Sequence, residues 1–175
     1  NLSESWIAVQ PGTENLVGTS KVFFEKFSTF YNFHLGSHTI INGEPAGSNI
    51  VQGYECVTTG TQEMPPSWTN NTDPNVDFDT KGRSYQTTLP CNAFWANLRP
   101  NSNIGIVYSD DLGRNWVKGN GGKPLEHAPN WSSLAFGYVE DKQWIAVNHF
   151  PTTRFADHVY SAWSIFNGFS TKIKL

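Results

Sequence analysis

The sequence predicts an all-β fold assembled from repeats of one antiparallel unit. Of its 175 residues only 15% are charged, 14% are aromatic, and 15 are Gly and 10 Pro. This composition is typical of short strands joined by tight turns, whereas a helical bundle would carry far more Lys and Glu on its surface. Several segments alternate apolar with polar or small residues, which indicates half-buried strands. The third observation is an internal repeat.

Three strand–turn–strand segments recur at a constant interval of 69 residues. Their anchor positions are Ile7, Val76 and Ile145. Each anchor lies in a short predicted strand. A turn separates it from a second predicted strand, at 16–18, 84–86 and 159–163. A strand pair repeated in this way, with a further hairpin following it, is typical of the blades of a β-propeller.

The second half of the unit follows the same interval. Ile104 in the alternating stretch NIGIVYS lies 69 residues after Leu35 and 69 before Ile173. We therefore predict an incomplete β-propeller of about two and a half four-stranded antiparallel blades, divided at about 1–71, 72–140 and 141–175. Because a propeller ring has roughly four to eight blades, the remaining blades are expected from the same protein or from another chain.

Two kinds of segment interrupt the predicted strands. Stretches 43–74 and 119–140 are rich in Gly, Pro, Asn and Thr and are predicted as long loop insertions. In the stretch 21–33, Phe23, Phe27 and Phe30 have helical spacing, so a short helix and a continued strand remain alternatives there.

The turn after 103–109 carries Ser109, Asp111, Gly113 and Trp116 in the pattern Ser-x-Asp-x-Gly-x-x-Trp. An Asp in a tight turn accepts backbone N–H groups, and Gly supplies a positive φ. Ser109 can hydrogen-bond across the hairpin, and Trp116 can bury its ring between neighbouring blades. These residues are predicted to close the hairpin and to anchor one blade to the next.

This pattern resembles the Asp-box (BNR repeat) of the sialidase-like β-propeller superfamily. Segments 75–89 and 144–168 resemble the flanking strands of its secreted bacterial and fungal members. The resemblance implies a carbohydrate-active propeller with a carbohydrate ligand, and it places Asp-box turns away from the substrate face. It leaves three alternatives for function: a sialidase-like glycoside hydrolase, a non-catalytic glycan- or protein-binding propeller, and a purely structural module.

Sialidase-type catalysis, as the resemblance implies, needs three Arg to hold a carboxylate, a Tyr/Glu nucleophile pair and an Asp acid/base. No Arg of this chain lies in the Arg-Ile-Pro setting that sialidases carry, and whether the chain is catalytic stays open. Site candidates come from the loop between the two strands of the third unit, because propeller loops form ligand sites. The alternative is a solvated polar loop. The candidates are Arg154, Asp157, His158 and His149.

No metal or cofactor is predicted. Asp77 and Asp79 match the first ligand positions of an EF-hand calcium-binding loop, but Lys81 and Thr88 stand where further oxygen ligands are required. His34 and His38 could bind zinc on a helix, but FHLGSH alternates as a strand does. No phosphate- or dinucleotide-binding loop and no Gly-x-Ser-x-Gly motif is present.

Several features favour an extracellular protein. Cys56 and Cys91 could form one disulfide, the alternative being two unpaired buried thiols. Glycosylation sequons begin at Asn1, Asn70 and Asn130, and the first residue is not Met, as in a processed or excised chain. A net charge of −3 without a basic run argues against a nucleic-acid partner. No apolar run approaches the roughly 18 residues of a membrane span.

Overall fold

The computed structural model describes residues 2–23, 33–51, 70–91, 103–127, 139–166 and 170–175. These residues form strands and one 3-10 helix, and no α-helix occurs among them. The strands are β1 Leu2–Val9, β2 Leu16–Phe23, β3 Phe33–Ile41, β4 Glu44–Ile50, β5 Asn70–Phe78, β6 Ser84–Cys91, β7 Asn103–Ser109, β8 Val117–Lys118, β9 Glu126–His127, β10 Val139–Val147, β11 Val159–Phe166 and β12 Thr171–Lys174, and the 3-10 helix is Asn120–Gly122. None of these elements is a helix long and apolar enough to cross a bilayer.

The strands form three antiparallel sheets. Sheet 1 has the order β1-β2-β3-β4, sheet 2 has the order β5-β6-β7-β8 with β9 also paired to β7, and sheet 3 has the order β10-β11-β12. The sheets pack on one another without closing a ring. The prediction of an all-β, incomplete β-propeller with about two and a half blades is confirmed.

The 69-residue interval is also a repeat of backbone shape. The first strand of each sheet contains one irregularity in its pairing, between Ser3 and Trp6 in β1 and at the same interval in β5 and β10. At each irregularity one non-glycine residue has a positive φ: 52° at Glu4, 51° at Asp73 and 55° at Lys142. Such angles are uncommon outside Gly and are typical of a β-bulge that bends a strand.

The hydrophobic core lies between the sheets. Val76 and Phe78 of β5 are almost fully buried and pack with Val17 of sheet 1. A second apolar cluster lies between sheets 2 and 3, where Trp163 and Ile165 pack with Leu89 and Ile104. The first strand of sheet 2 therefore presents its apolar anchors to sheet 1, whereas the described core between sheets 2 and 3 uses residues of the second strand of sheet 3.

The prediction of a loop over 43–74 is wrong at both ends, because β5 already begins at Asn70. Glu44–Ile50 forms β4, which pairs with β3 across a turn at Asn42 and Gly43, where φ is 50° and 81°. Strand β4 lies at the edge of its sheet and is mostly exposed, so it carries no alternation that would indicate a strand. The insertion at 119–140 likewise contains the 3-10 helix and β9. The helix-or-strand alternative for 21–33 falls mostly outside the described residues.

The sheets share one orientation, which defines two ends of the stack. Hairpin turns at 10–15, 79–83, 110–116 and 148–158 lie together, and we call this the turn end. The opposite end, where β1, β5 and β10 begin, we call the start end.

Candidate functional site

The turn from Ser109 to Trp116 is closed by its own side chains. The backbone N–H of Gly113 donates to Ser109 Oγ at 2.9 Å, and Ser109 Oγ donates to Asp111 Oδ1 at 2.7 Å. Asn115 donates to the Asp111 carboxylate from its backbone at 2.8 Å and from its side chain at 2.5 Å. Partial burial opposes ionisation of Asp111, but the hydrogen bonds from Asn115 and Ser109 outweigh it and lower its pKa.

The same turn docks on sheet 1. Ser37 Oγ donates to the Gly113 carbonyl at 2.9 Å, and Thr39 Oγ1 donates to the Leu112 carbonyl at 2.7 Å. Gly113 has a φ of 76°, and a Cβ at this position would lie 2.6 Å from Ser37 Oγ. Only Gly satisfies both the backbone angle and the close approach.

The Trp116 ring lies between sheets 1 and 2. It packs against buried residues of both sheets, which belong to two apolar clusters, one with Leu35 and Val107 and the other with Val17 and Phe78. A large ring that bridges two clusters removes apolar surface from water on both sides. The turn and its Trp therefore tie sheet 2 to sheet 1.

Asp157, one of the four predicted site residues, lies at the turn end and contacts sheet 2. Its Oδ1 accepts hydrogen bonds from the backbone N–H and from Oγ1 of Thr80, both at 2.8 Å, and its Oδ2 lies 3.0 Å from Lys81 Nζ. The hydrogen bonds from Thr80 and Lys81 lower the pKa of Asp157 to about 2. Its carboxylate is thus an ionised link between sheets 3 and 2.

The other three predicted residues do not converge with Asp157 on one point. His149 Nε2–H donates to the Phe78 carbonyl of sheet 2 at 2.6 Å. Arg154 stacks on the Phe155 ring at 4.5 Å, and the His158 ring meets the same Phe155 edge-on at 5.4 Å. Two of the four therefore contact the neighbouring sheet, and two contact an aromatic ring of their own loop.

A polar groove of about 770 Å³ separates the hairpins of the turn end. Four of its charged groups form two ion pairs. Arg83 makes two hydrogen bonds to the Asp110 carboxylate, at 2.6 and 3.0 Å, which raise the pKa of its guanidinium, and Lys81 pairs with Asp157. The groove presents ion pairs that already satisfy one another.

A second group of charged residues, which the sequence analysis did not single out, meets at the start end. The three bulges bring Glu4, Asp73 and Lys142 together with Thr72 and Asp141, and we call these five residues the bulge cluster. Thr72 Oγ1 lies 2.9 Å from Glu4 Oε2 and 2.7 Å from Asp73 Oδ1. Lys142 Nζ lies 3.1 Å from Asp73 Oδ2 and 3.7 Å from Asp141 Oδ1.

The two aspartates of the bulge cluster differ in their affinity for a proton. Burial opposes ionisation of Asp73, but its side-chain interactions with Glu4, Thr72 and Lys142 lower its pKa, with Thr72 Oγ1 and Lys142 Nζ as the donors. Burial raises the pKa of Asp141, and Lys142 only partly offsets that effect. Neighbouring carboxyls with pKa values moved in opposite directions occur in acid–base catalytic sites and also in structural ion-pair networks.

The signal for the bulge cluster was present in the sequence. Glu4, Asp73 and Lys142 each stand three residues before an anchor of the repeat, so all three are charged at one position of the unit. The sequence prediction used the apolar anchors of the repeat and not the charged residue that stands three positions before each of them.

A buried carboxyl, that of Glu140, also lies near the start end, at the second residue of β10. Burial and the nearby Glu126 carboxylate raise the pKa of Glu140 to about 7, although Lys174 opposes this. Glu126 itself forms an ion pair with Lys174. Glu140 therefore changes its protonation near neutral pH.

The predicted disulfide and glycosylation sites remain predictions. Cys56, Asn1 and Asn130 lie outside the described residues. Asn70 and Cys91 are register partners in β5 and β6, but their side chains are not among those described.

Comparison with known proteins shows that this chain is similar to solved structures in fold, without a match in sequence. No protein-family model matches the chain, and no curated protein matches its sequence. The solved structure of the Hadza microbial sialidase Hz136 is similar to 98% of this chain, with a TM-score of 0.58 and 14% identity. The chain spans 34% of that sialidase.

Two further solved structures are similar at lower TM-scores. One is a glycosyl hydrolase from Bacteroides ovatus, with a TM-score of 0.40 and 9% identity over 97% of this chain and 68% of that one. The other, described among GH130 mannoside phosphorylases and glycoside hydrolases that target β-1,2 mannosidic linkages in Candida mannan, has a TM-score of 0.38 and 9% identity over 96% and 67%. The sheet topology and this likeness together show an all-β fold of the incomplete-propeller type.

Proposed function

We propose that this chain belongs to an extracellular, carbohydrate-active β-propeller that hydrolyses glycosidic bonds, a sialidase-like glycoside hydrolase. The observation that carries the proposal is the Asp73–Asp141 pair, whose carboxyl groups both lie near Lys142 Nζ, at 3.1 and 3.7 Å, and whose pKa values move in opposite directions. The fold supports it, because a sialidase has a similar arrangement of sheets. Fold alone does not determine activity, so the carboxyl pair is the specific element.

The two carboxyls supply the two proton transfers of glycoside hydrolysis. As the proposed general acid, Asp141 in its protonated form donates its proton to the glycosidic oxygen while the bond from that oxygen to the anomeric carbon breaks. The Asp73 carboxylate accepts a proton from the water that forms the new bond to the anomeric carbon. Exchange of one proton with solvent then restores both groups. Lys142, between the two, favours the ionised form of Asp73.

One observation favours the second candidate function, a propeller that binds glycans without cleaving them. The resemblance implies that three Arg side chains hold the carboxylate of the sugar. The Arg residues that the structure describes all lie at the turn end instead. Arg83 is bound to Asp110, Arg154 stacks on Phe155, and Arg114 is exposed in the Ser109–Trp116 turn. Arg99 lies outside the described residues.

Fluorogenic glycosides, sialosides included, together with a glycan array separate these functions. The natural protein is compared with Asp73→Asn, Asp141→Asn and, as a matched control at the turn end, Asp157→Asn. We expect hydrolysis to fall at least about 100-fold in the first two variants and to persist in the control. Glycan binding without hydrolysis supports the second candidate. Hydrolysis unchanged in Asp73→Asn and Asp141→Asn would show that other residues are catalytic, and neither hydrolysis nor binding would contradict both proposals.

The remaining parts of the proposal concern processing and organisation. We propose a Cys56–Cys91 disulfide, glycans at Asn1, Asn70 and Asn130, an Asp-box at Ser109–Trp116, and blades divided near 71 and 140. Mass spectrometry of the protein from its natural source, before and after reduction and enzymatic deglycosylation, tests the covalent features. An unchanged mass after both treatments would contradict secretion through an oxidising compartment.

A further inference from the structure

Two exposed tryptophan side chains lie on the first strands of sheets 1 and 3, and we call them the Trp pair. Trp6 is 37% exposed and Trp144 is 52% exposed. Their ring centroids are 4.3 Å apart and their planes meet at 80°, so one ring packs edge-on against the other. An edge-on contact covers only part of two large rings, and the Trp pair therefore leaves indole surface open to a ligand.

Sheet 2 holds the Trp pair in place. Trp6 Nε1 donates to the Val76 carbonyl at 3.1 Å, which orients the Trp6 ring. Asn75 stands at the same position of the repeat, one interval after Trp6 and one before Trp144. Its side chain is buried and donates to the Gln143 carbonyl at 2.7 Å. The exposed surface at this position of the repeat therefore belongs to the two indoles.

Exposure at this position does not depend on whether another sheet follows. Sheet 2 follows sheet 1 and contacts Trp6 through Val76, yet more than a third of Trp6 stays in contact with water, at 37% exposure. Trp144 is its equivalent in sheet 3, two intervals later. A further sheet packed on sheet 3 in the same way leaves part of Trp144 open as well.

The Trp pair lies beside the bulge cluster. Glu4 stands two residues before Trp6 in β1, and Lys142 stands two residues before Trp144 in β10. Two residues of a strand span about 6.6 Å, a distance of the order of one sugar ring. The side chains of Glu4 and Lys142 are 45% and 67% exposed. A ligand on the indoles can therefore hydrogen-bond at its edge to a carboxylate and to an ammonium group.

The charges of the bulge cluster favour an uncharged ligand. The carboxyl groups of Glu4 and Asp73 repel an anion. Lys142 Nζ, 3.1 Å from Asp73 Oδ2, repels a cation of the kind that aromatic rings otherwise attract. A pyranose ring combines what remains, because it carries C–H groups on its faces and hydroxyl groups around its edge.

We propose that the Trp pair is a stacking platform for an uncharged pyranose ring of the glycan, held beside the bulge cluster. The inference rests on the proposed carbohydrate-active function and adds the substrate class, a neutral sugar. The C–H face of the ring covers indole surface, and its hydroxyl groups hydrogen-bond to Glu4 and Lys142. Burial of aromatic surface supplies affinity, and the hydroxyl contacts fix the orientation of the sugar.

Calorimetric titration with uncharged oligosaccharides selected on a glycan array tests this contact. They are used as alkyl glycosides, since an aryl group could itself stack on the indoles. The titrations use the Asp141→Asn background, so that the bound glycan is not hydrolysed. We expect Trp144→Ala to raise the dissociation constant at least about 10-fold, and Trp144→Phe, which keeps a ring, to change it less than about 3-fold.

Phe150→Ala serves as the matched control, because Phe150 is 72% exposed but lies at the turn end. Its affinity for the same oligosaccharides should equal that of the parent protein. Circular dichroism verifies the fold of each variant. If Trp144→Ala does not fold, Trp144→Leu replaces it, since Leu keeps apolar volume and removes the aromatic face; the same loss of affinity is expected.

The outcomes separate this inference from the proposed hydrolysis. Equal affinity of Trp144→Ala and its parent, or no binding of any uncharged glycan, overturns the Trp pair as a sugar site even where the natural protein hydrolyses glycosides. Binding that depends on Trp144, without hydrolysis by the natural protein, supports the Trp pair and contradicts the catalytic proposal. Binding of sialylated glycans or of tetramethylammonium in place of uncharged glycans, lost in Trp144→Ala, overturns the neutral sugar as the ligand.

Discussion

Carboxyl side chains at the turn end and at the start end of the stack differ, because two of those at the start end, Asp141 and Glu140, have raised pKa values while Asp73 beside them is lowered as at the turn end. At the turn end, Asp111 and Asp157 accept hydrogen bonds from the backbone of turn residues, and their pKa values are lowered. At the start end, burial raises the pKa values of Asp141 and Glu140. A carboxylate that accepts several N–H groups is a structural link, whereas burial with fewer donors favours the protonated form, and it raises the pKa of Glu140 to about 7.

The largest effect is expected from Trp116→Ala at the turn end. Removing the ring leaves a cavity between sheets 1 and 2, so the free energy of unfolding should fall by about 4 kcal/mol. Urea denaturation followed by circular dichroism measures it. The neighbouring Val117 is 49% exposed, and Val117→Ala should change the stability by less than about 0.5 kcal/mol. Equal effects of the two changes would contradict the anchoring role of Trp116.

Asp111→Ala tests whether the turn-end carboxylates are structural. The change leaves the backbone N–H of Asn115 and the hydroxyl of Ser109 without their acceptor, so we expect a loss of about 2 kcal/mol in the free energy of unfolding. The same denaturation measurement applies. A stability within about 0.5 kcal/mol of the natural protein would mean that solvent replaces these hydrogen bonds.

Glu140→Gln tests the raised pKa at the start end, because its effect on the free energy of unfolding depends on pH. The folded pKa of about 7 exceeds the ordinary value of 4.5, so the folded state binds more protons between these values and stability falls as pH rises through that window. Gln cannot ionise. The variant should therefore be more stable than the natural protein by about 3 kcal/mol at pH 8 and about equal to it at pH 4.

Glu14→Gln is the control for this measurement, since Glu14 is an exposed carboxyl of the β1–β2 turn. Its stability should follow that of the natural protein at both pH values. If Glu140→Gln gave the same difference at pH 4 and at pH 8, proton uptake by Glu140 would not be its cause.

Asp157→Asn should have the smallest effect. Its pKa of about 2 lies below the ordinary value of 3.8, so the stability that it contributes is present above pH 4 and is lost as pH falls towards 2. The site is solvated, so the loss of melting temperature at pH 7 should be smaller than for Asp111→Ala. Thermal unfolding between pH 2 and 7 measures this. A decrease as large as that of Asp111→Ala would show that the link to Thr80 carries more of the stability than its exposure suggests.

Local sequence patterns predicted most of the hairpins. Ile7, Val76 and Ile145 lie in the first strands of three sheets, and turns with Gly or Asp follow them. Strand β4 was missed because an exposed edge strand has no apolar alternation to detect. Proximity of Arg154, Asp157 and His158 along the chain suggested one site, but Asp157 contacts Thr80 and Arg154 contacts Phe155.

What the sequence by itself determined is the repeating unit: strand periodicity, turn chemistry and a constant interval require only contacts between residues near each other in the chain. The tertiary structure alone decided which units face each other. The hydrogen bond from Thr72 to Glu4 and the ion pair of Lys142 with Asp73 join residues about 70 positions apart. Burial of Asp141 depends on that stacking, and so does its raised pKa. Because desolvation is a property of the packed sheets, no local pattern could have distinguished these carboxyls from those of the turns.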